Sequence, residues 1–270
     1  MKHPMTVRPL IAAVASVFAV AGCFGSPGDD DLDDEKEATT ASALDVGTSS
    51  TELGDLATAD PAQAAAGVAS SKTKGCHTRT VDPASPNVVL VTLEACAGRF
   101  GRHSVSGHLT VTFSSNADGS LHSETVSSDL TVDGRPFSRT VSADISISGD
   151  LRHVSRHSEK TGTKKNGDSL VQSEDVIVVM DKSTRCRTVN GTGHALVGGS
   201  RNITSTTTNL QTCETSEGDD LCPTGSIEHV NQSKGKTRVA TFDGSASATI
   251  EIAKRKGSET KTWSLDCVPR

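Results

Sequence analysis

From residue 75 onward the chain alternates. Val, Ile, Leu and Thr exchange places every second residue with Ser, Arg, Asp and His, and turn-forming pairs break the runs. A period of two predicts strands with one apolar face, and no stretch keeps a helical period over three turns. The clearest hairpin is Val132-Asp133-Gly134-Arg135, because Asp-Gly supplies the positive φ angles of a type I′ turn. Pairing Val132 with Arg135 sets Leu130 opposite Phe137 and Val126 opposite Val141, so apolar residues meet across the ladder. Ala143, Ile145 and Ile147 continue that face. Further turn signals fall at residues 116–119, 149–150, 166–167, 198–199, 234–235, 243–244 and 256–257. One stretch, Val176-Ile177-Val178-Val179-Met180, is apolar at every position, which predicts a central strand covered on both faces. Most others have one dry face, and a sheet with one dry face must cover it with a second sheet or fold over on itself. The expected fold is all-β: a long antiparallel meander over residues 75–270, packed as a sandwich or a folded-over sheet.

Three matches keep their order along the chain. Residues 76–81 resemble 186–189, residues 93–96 resemble 210–213, and FSRTVSADISI from Phe137 resembles FDGSASATIEI from Phe242. Either the domain is a duplication, with halves 75–181 and 182–270, or low-complexity Ser/Thr strands have produced a chance likeness. Six cysteines lie in this part: Cys76, Cys96, Cys186, Cys213, Cys222 and Cys267. An even set of this kind predicts three disulfides in an oxidising compartment. A turn at 82–87 pairs Val81 with Val88 and brings Cys76 near Cys96. A turn at Gly198-Gly199 pairs Val197 with Ser200 and brings Cys186 near Cys213, with Gly191 or Gly193 available for a bulge. Cys222–Cys267 is then left. The rival pairs Cys213 with Cys222 and Cys186 with Cys267.

The first 74 residues have a different texture. Lys2 and Arg8 precede an apolar run over residues 10–21 that ends in small residues before Cys23. A spanning helix needs roughly 18–20 apolar residues, so the run reads as a secretory signal instead. Val20-Ala21-Gly22-Cys23 resembles the lipobox of bacterial lipoproteins. The resemblance implies cleavage after Gly22, giving a signal peptide 1–22, diacylglyceryl transfer to the Cys23 thiol, and acylation of the new amino terminus. In that family an Asp directly after the cysteine marks inner-membrane retention. Phe24 stands there, which implies the outer membrane, with the chain held by its lipids and Cys23 as the lipidation site. Residues 24–71 hold eleven acids and one base, Lys36, so 23–74 reads as an anchor followed by an acidic, disordered linker. About 50 flexible residues span roughly 40 Å r.m.s., enough to hold a domain clear of a membrane. The acids at residues 29–35 lack the glycine turn and spaced ligands of a calcium loop.

Charge and composition exclude several classes. The net charge of −6 becomes −8 without Lys2 and Arg8, and the linker takes −10 of it, leaving the domain near +2. An exported, nearly neutral domain is no nucleic-acid binder. An aromatic fraction of 3%, with no Tyr and one Trp, is too low for the aromatic girdles of a membrane barrel.

Candidate chemistry is sparse. Gly167-Asp168-Ser169-Leu170 resembles the nucleophile block of the GDSL hydrolases, and Asp150-Leu151-Arg152-His153 resembles their Asp-x-x-His block. That resemblance implies Ser169 as nucleophile and His153 as base. Yet the blocks occur in reverse order, the oxyanion blocks are absent, and the family's fold is α/β. Asn166-Gly167-Asp168 also suits a hairpin turn. His153 and His157, four apart on a strand, are about 13 Å from each other and cannot share an ion. His103 and His108 fall on opposite faces, and His108, His122 and His194 have no ligand spacing. Lys164-Lys165 and residues 254–256 flank turn glycines as solvated charge, with anionic lipid or polysaccharide as their one candidate partner. Trp263 and Leu265 share a strand face and read as core. The expected function is non-catalytic: a lipoprotein of the cell envelope, binding a protein or glycan through a Ser/Thr-rich sheet, with no metal or cofactor. The alternatives are a carrier of hydrophobic ligands and an envelope hydrolase using Ser169.

Overall fold

The computed structural model describes residues 56, 58–70, 76–97, 104–164, 166–215, 220–265 and 267–270. The signal stretch, Cys23, the acids at 29–35 and His103 lie outside them. The described chain starts with a helix, α1 (Pro61–Ser70), followed by thirteen strands. These are β1 (His77–Asp82), β2 (Ser85–Ala97), β3 (Ser104–Ser115), β4 (Leu121–Val132), β5 (Arg135–Ser148), β6 (Leu151–Thr163) and β7 (Ser169–Asp181). Then come β8 (Cys186–Val197), β9 (Arg201–Cys213), β10 (Thr224–Asn231), β11 (Lys236–Asp243), β12 (Ser247–Lys254) and β13 (Gly257–Ser264). All thirteen form a single sheet in sequence order, each strand antiparallel to the next.

One face of this sheet is dry. Val89, Val111, Phe113, Leu121, Ala143, Ile145, Val154 and Ala240 have no exposed surface, and inner-face residues of β2 through β12 belong to one contiguous core. α1 packs on β1, β2 and β3, so the remaining inner face is closed by the sheet folding over on itself. Alternate residues of the outer face stay in solvent.

The helix falls inside the stretch read as unstructured linker. That reading weighed the acids, but residues 61–70 carry none. Instead Asp60 caps the helix, its Oδ1 accepting from Gln63 N at 2.8 Å, and Pro61 occupies the first helical position, where no N–H is needed. Ala64, Ala65 and Val68 are buried. Arg79 of β1 donates to the Val68 carbonyl at 3.4 Å, and Leu56 is also buried.

Bulges account for several departures from the expected register. Val132 pairs with Arg135, but a shift between Val126 and Thr131 puts Val141 opposite Thr125 and Val126 opposite Thr140. Val126 therefore faces solvent. In the first hairpin Val81 pairs with Val89, not Val88. In β8–β9 Val197 pairs with Arg201, not Ser200, and a bulge between Val189 and Gly191 brings Cys186 directly opposite Cys213. The bridges are Cys76–Cys96, Cys186–Cys213 and Cys222–Cys267; the rival connectivity is not the one formed.

Two further expectations need correction. β7 is the seventh strand of thirteen, central as expected, but it is covered on one face only, and Ile177 is 54% exposed. The third match of the internal repeat is not equivalent in structure: residues 137–147 lie in the single strand β5, whereas 242–252 contain a turn between β11 and β12.

Candidate functional site

The inner face is not apolar throughout. β6 presents Arg152, Val154, Arg156, Ser158 and Lys160 inward, and all five are buried. Two rows of facing residues cross the sheet from there. The first runs Arg139–Lys160–Gln172–Ala195–Ile203–Asn231–Lys236, and the second Ser158–Glu174–Gly193–Ser205–His229–Arg238. Basic side chains thus stand at both ends, on β5–β6 and on β11. Between them β8 contributes Ala195 and Gly193, both small residues.

Seven buried cations face one buried carboxylate among the described residues. That carboxylate, Glu174, accepts from Arg156 Nη2 at 3.1 Å and lies 3.8 Å from Lys160 Nζ. Arg152 donates instead to backbone, through Nε to the Leu56 carbonyl at 3.0 Å and through Nη1 to Leu151 at 2.9 Å. Ser158 Oγ is buried without a hydrogen-bond partner. Lys164, expected in solvent beside its turn, is 6% exposed, so that reading is corrected. None of this was read from the sequence, although a signal existed. β6 is polar on both faces, and a strand at the middle of a folded sheet must bury one of them.

His229 is half-buried as a residue, but its Nε2 is out of contact with water. Burial first, and then the charge of Arg238 opposite it, push its pKa down to about 4. The unfolded chain takes up a proton near pH 6.5 that the folded chain refuses until about 4. The contribution of this one group is therefore fully present above pH 6.5 and is lost as pH drops from 6.5 to 4, roughly 3 kcal/mol in all. His229→Gln should flatten the curve of Tm against pH over that window. An unchanged acid slope in the variant would assign the loss to other groups.

The outer face carries histidine–carboxylate pairs. His122 Nδ1 meets Asp144 at 2.7 Å and His157 Nδ1 meets Asp175 at 2.7 Å, both across neighbouring strands, and His108 meets Asp129 at 3.0 Å. The hydrogen bond to Asp175 raises the His157 pKa. Bonds from His122 and Asn116 hold Asp144 below the usual carboxylate range. His108, His122 and His194 stand on β3, β4 and β8, each with its own neighbours.

Ser169 and His153 do not meet. Ser169 pairs with Thr163 and His153 with Val179, ten residues apart along paired strands, or roughly 33 Å. Asp168 is engaged by Arg201 and by the Asn166 amide, closing the β6–β7 turn. The sulfurs of Cys76 and Cys96 lie near His77 in metal-ligand range, but both are committed to a disulfide. A surface cavity of about 310 Å³ beside Cys186–Cys213 is lined by Asp181, Lys182, Arg185, Arg187, Thr212 and Glu214, with charges of both signs. Trp263 and Leu265 pack partly buried against the core.

The molecule is thus a disulfide-braced, all-β protein built on one thirteen-stranded meander. Comparison of the chain with protein families, with curated proteins and with solved structures returns no match.

Proposed function

We propose that this protein is a non-catalytic lipoprotein of the cell envelope, held in the outer membrane through acyl chains on Cys23. Its β domain acts as a structural or binding module for an envelope protein or polysaccharide. The observation that carries the binding role is the uncovered outer face. Across the β6–β9 region His157, Asp175, Thr192 and Thr206 form a continuous row of polar groups. Ile177 stands exposed beside it. An extended, rigid, polar surface of this kind suits a glycan or another sheet-like protein better than a small molecule. The carrier alternative draws less support, because the inner face is packed with the protein's own Phe113, Ile145 and Phe242 and with buried charge. The hydrolase alternative draws none from the separation of Ser169 and His153.

Two readouts test the reading. The wild-type protein should incorporate a clickable palmitate analogue and sediment with membranes, and Cys23→Ser should lose both. A Cys23→Ser protein that still takes up label would remove the anchor from the proposal. Native mass spectrometry after gentle extraction should show the lipidated chain alone or with a protein or glycan partner. Copurified, non-covalent lipid would favour the carrier instead.

A further inference from the structure

We propose that the last strand, β13, pairs antiparallel with β13 of a second copy of this chain, making a two-fold dimer with one continuous sheet. Among the described residues β13 has a neighbouring strand on one side only, β12. Residues 257–262 and Ser264 are exposed, whereas the opposite edge, β1, carries α1 packed on it. An exposed edge strand presents a row of backbone donors and acceptors ready for another chain. Which residues present them is fixed by the hairpin. Leu265 N donates to the Ala246 carbonyl at 2.9 Å, in step with the β12–β13 register. Backbone groups alternate in direction along an antiparallel strand, so the odd-numbered residues of β13 bond to β12. Ser258, Thr260, Thr262 and Ser264 turn their N–H and C=O groups to the open side.

The sequence of that edge is complementary to itself. The outward groups bond only if even-numbered residues meet even-numbered residues of the second copy. Centring the pairing on Thr260 puts Glu259 opposite the partner's Lys261, and Lys261 opposite the partner's Glu259. Within one chain Glu259 already lies 3.5 Å from Lys261 and 3.6 Å from Lys254. The dimer completes a square in which each charge has an opposite charge along its strand and another across the axis. These are the non-hydrogen-bonded positions, where Cα atoms approach to about 4.5 Å and side chains lie closest. On the other face Thr260 meets the partner's Thr260 and Ser258 meets the partner's Thr262, pairs that hydrogen-bond across strands. At each end Trp263 stands opposite the partner's Gly257, and an aromatic ring beside an edge glycine covers backbone that glycine leaves bare. Sliding by two residues either way sets Glu259 against the partner's Glu259, or Lys261 against the partner's Lys261. Like charges directly opposite destabilise a ladder, so one register is favoured over its neighbours.

Charges on an edge strand can also serve to keep copies apart. That role needs repulsion, and here acid and base alternate so that a two-fold rotation brings opposite signs together. A contact of this kind is isologous and closes at two copies. Pairing β13 with β1 of the next copy is head-to-tail and lacks that closure. A ladder of one strand is smaller than a standard interface, so the association is reversible and depends on concentration.

Sedimentation equilibrium of the full chain in density-matched detergent tests this. The wild-type protein should pass from monomer toward dimer between about 1 and 300 µM. Glu259→Lys and Lys261→Glu should each weaken the dimer at least about tenfold, because both charge pairs across the axis become repulsions. An equimolar mixture of the two variants should recover it, since one strand is then all basic and the other all acidic. A misfolded variant could not show that recovery. Thr260→Pro tests the backbone: the lost N–H faces the open side, so β12 stays paired, the Tm of the monomer is unchanged and the dimer is lost. A wild-type chain that stays monomeric over this range would overturn the proposal. So would a mixture that fails to recover, or a dimer that survives Thr260→Pro or both charge variants, which would place the contact on another surface.

Discussion

Replacing Glu174 with glutamine should cost the domain about 3–5 kcal/mol, the range found when one partner of a buried ion pair is removed. The substitution keeps shape and volume, so no cavity forms and the loss is electrostatic. Arg156, 3.1 Å away, and Lys160, 3.8 Å away, both have side chains only 2% exposed. Neither can turn to water once the carboxylate is gone. The contrast is Glu259→Gln in the last strand of the sheet, β13, where the partners Lys254 and Lys261 are nearly half exposed. An exposed pair of that kind contributes about 0–1 kcal/mol. A further comparison separates charge from packing. Arg156→Met and Lys160→Met combined with Glu174→Leu should recover most of the single-mutant loss, since apolar replacement of a whole buried pair or triad is often neutral or better. Urea denaturation measures all three, with Trp263 as the fluorescence probe. Equal costs for Glu174→Gln and Glu259→Gln would show that the inner charges are solvated after all.

The parts of the structure that local pattern controls were legible. Alternation located the strands, the glycine pairs located the turns, and hairpin reach brought Cys76 to Cys96 and Cys186 to Cys213. The parts set by long-range closure were not. A strand's two faces look alike in sequence when both are polar, so nothing local says that Arg156 and Lys160 face in while His157 and Glu159 face out. Their direction is fixed by Val154, the one β6 residue that joins the core cluster, and by the register with β5. The same limit applies to β7. Five consecutive apolar residues imply two covered faces only where a second layer exists to cover them, and here Ile177 meets solvent. Helix α1 was hidden for a different reason: its signals, Asp60 and Pro61 before an alanine run, lie at the end of a segment dominated by acids. The bulges of β2, β4 and β9 were the least legible feature, since they hold Ala95, Asp129 and Asn209 at positive φ and no sequence rule marks which residue will adopt it.

Those bulges carry the second large prediction: Gly225→Ala should cost about 3–5 kcal/mol or prevent folding, far above an ordinary glycine substitution. Gly225 has φ 111° and stands against the bulge of β9, where Asn209 has φ 47°. A Cβ added there would lie 2.3 Å from the Asn209 carbonyl oxygen and 2.8 Å from Leu210 Cα. Both are backbone atoms, so no side chain can swing aside. Gly107 in β3 repeats the arrangement, with φ 128° and a Cβ position 2.7 Å from the Asp129 oxygen and from Leu130 Cα. The consequence reaches beyond the clash. In β9 the inward residues before the bulge include Ile203, an odd position, and after it Leu210, an even one; in β4 Leu121 gives way to Leu130 in the same manner. Each bulge thus switches the parity of its strand and returns a leucine to the core. Displacing it would turn Leu210 or Leu130 toward solvent and expose the unpaired strand beyond. Gly119→Ala is the control. Its φ is 82°, but the added Cβ meets nothing within 4 Å, so the cost should stay near the backbone strain alone, about 1 kcal/mol. Denaturation of the three variants side by side decides the matter: if Gly225→Ala and Gly107→Ala unfold at the same urea concentration as Gly119→Ala, the close approach at the bulges does not hold the sheet in register.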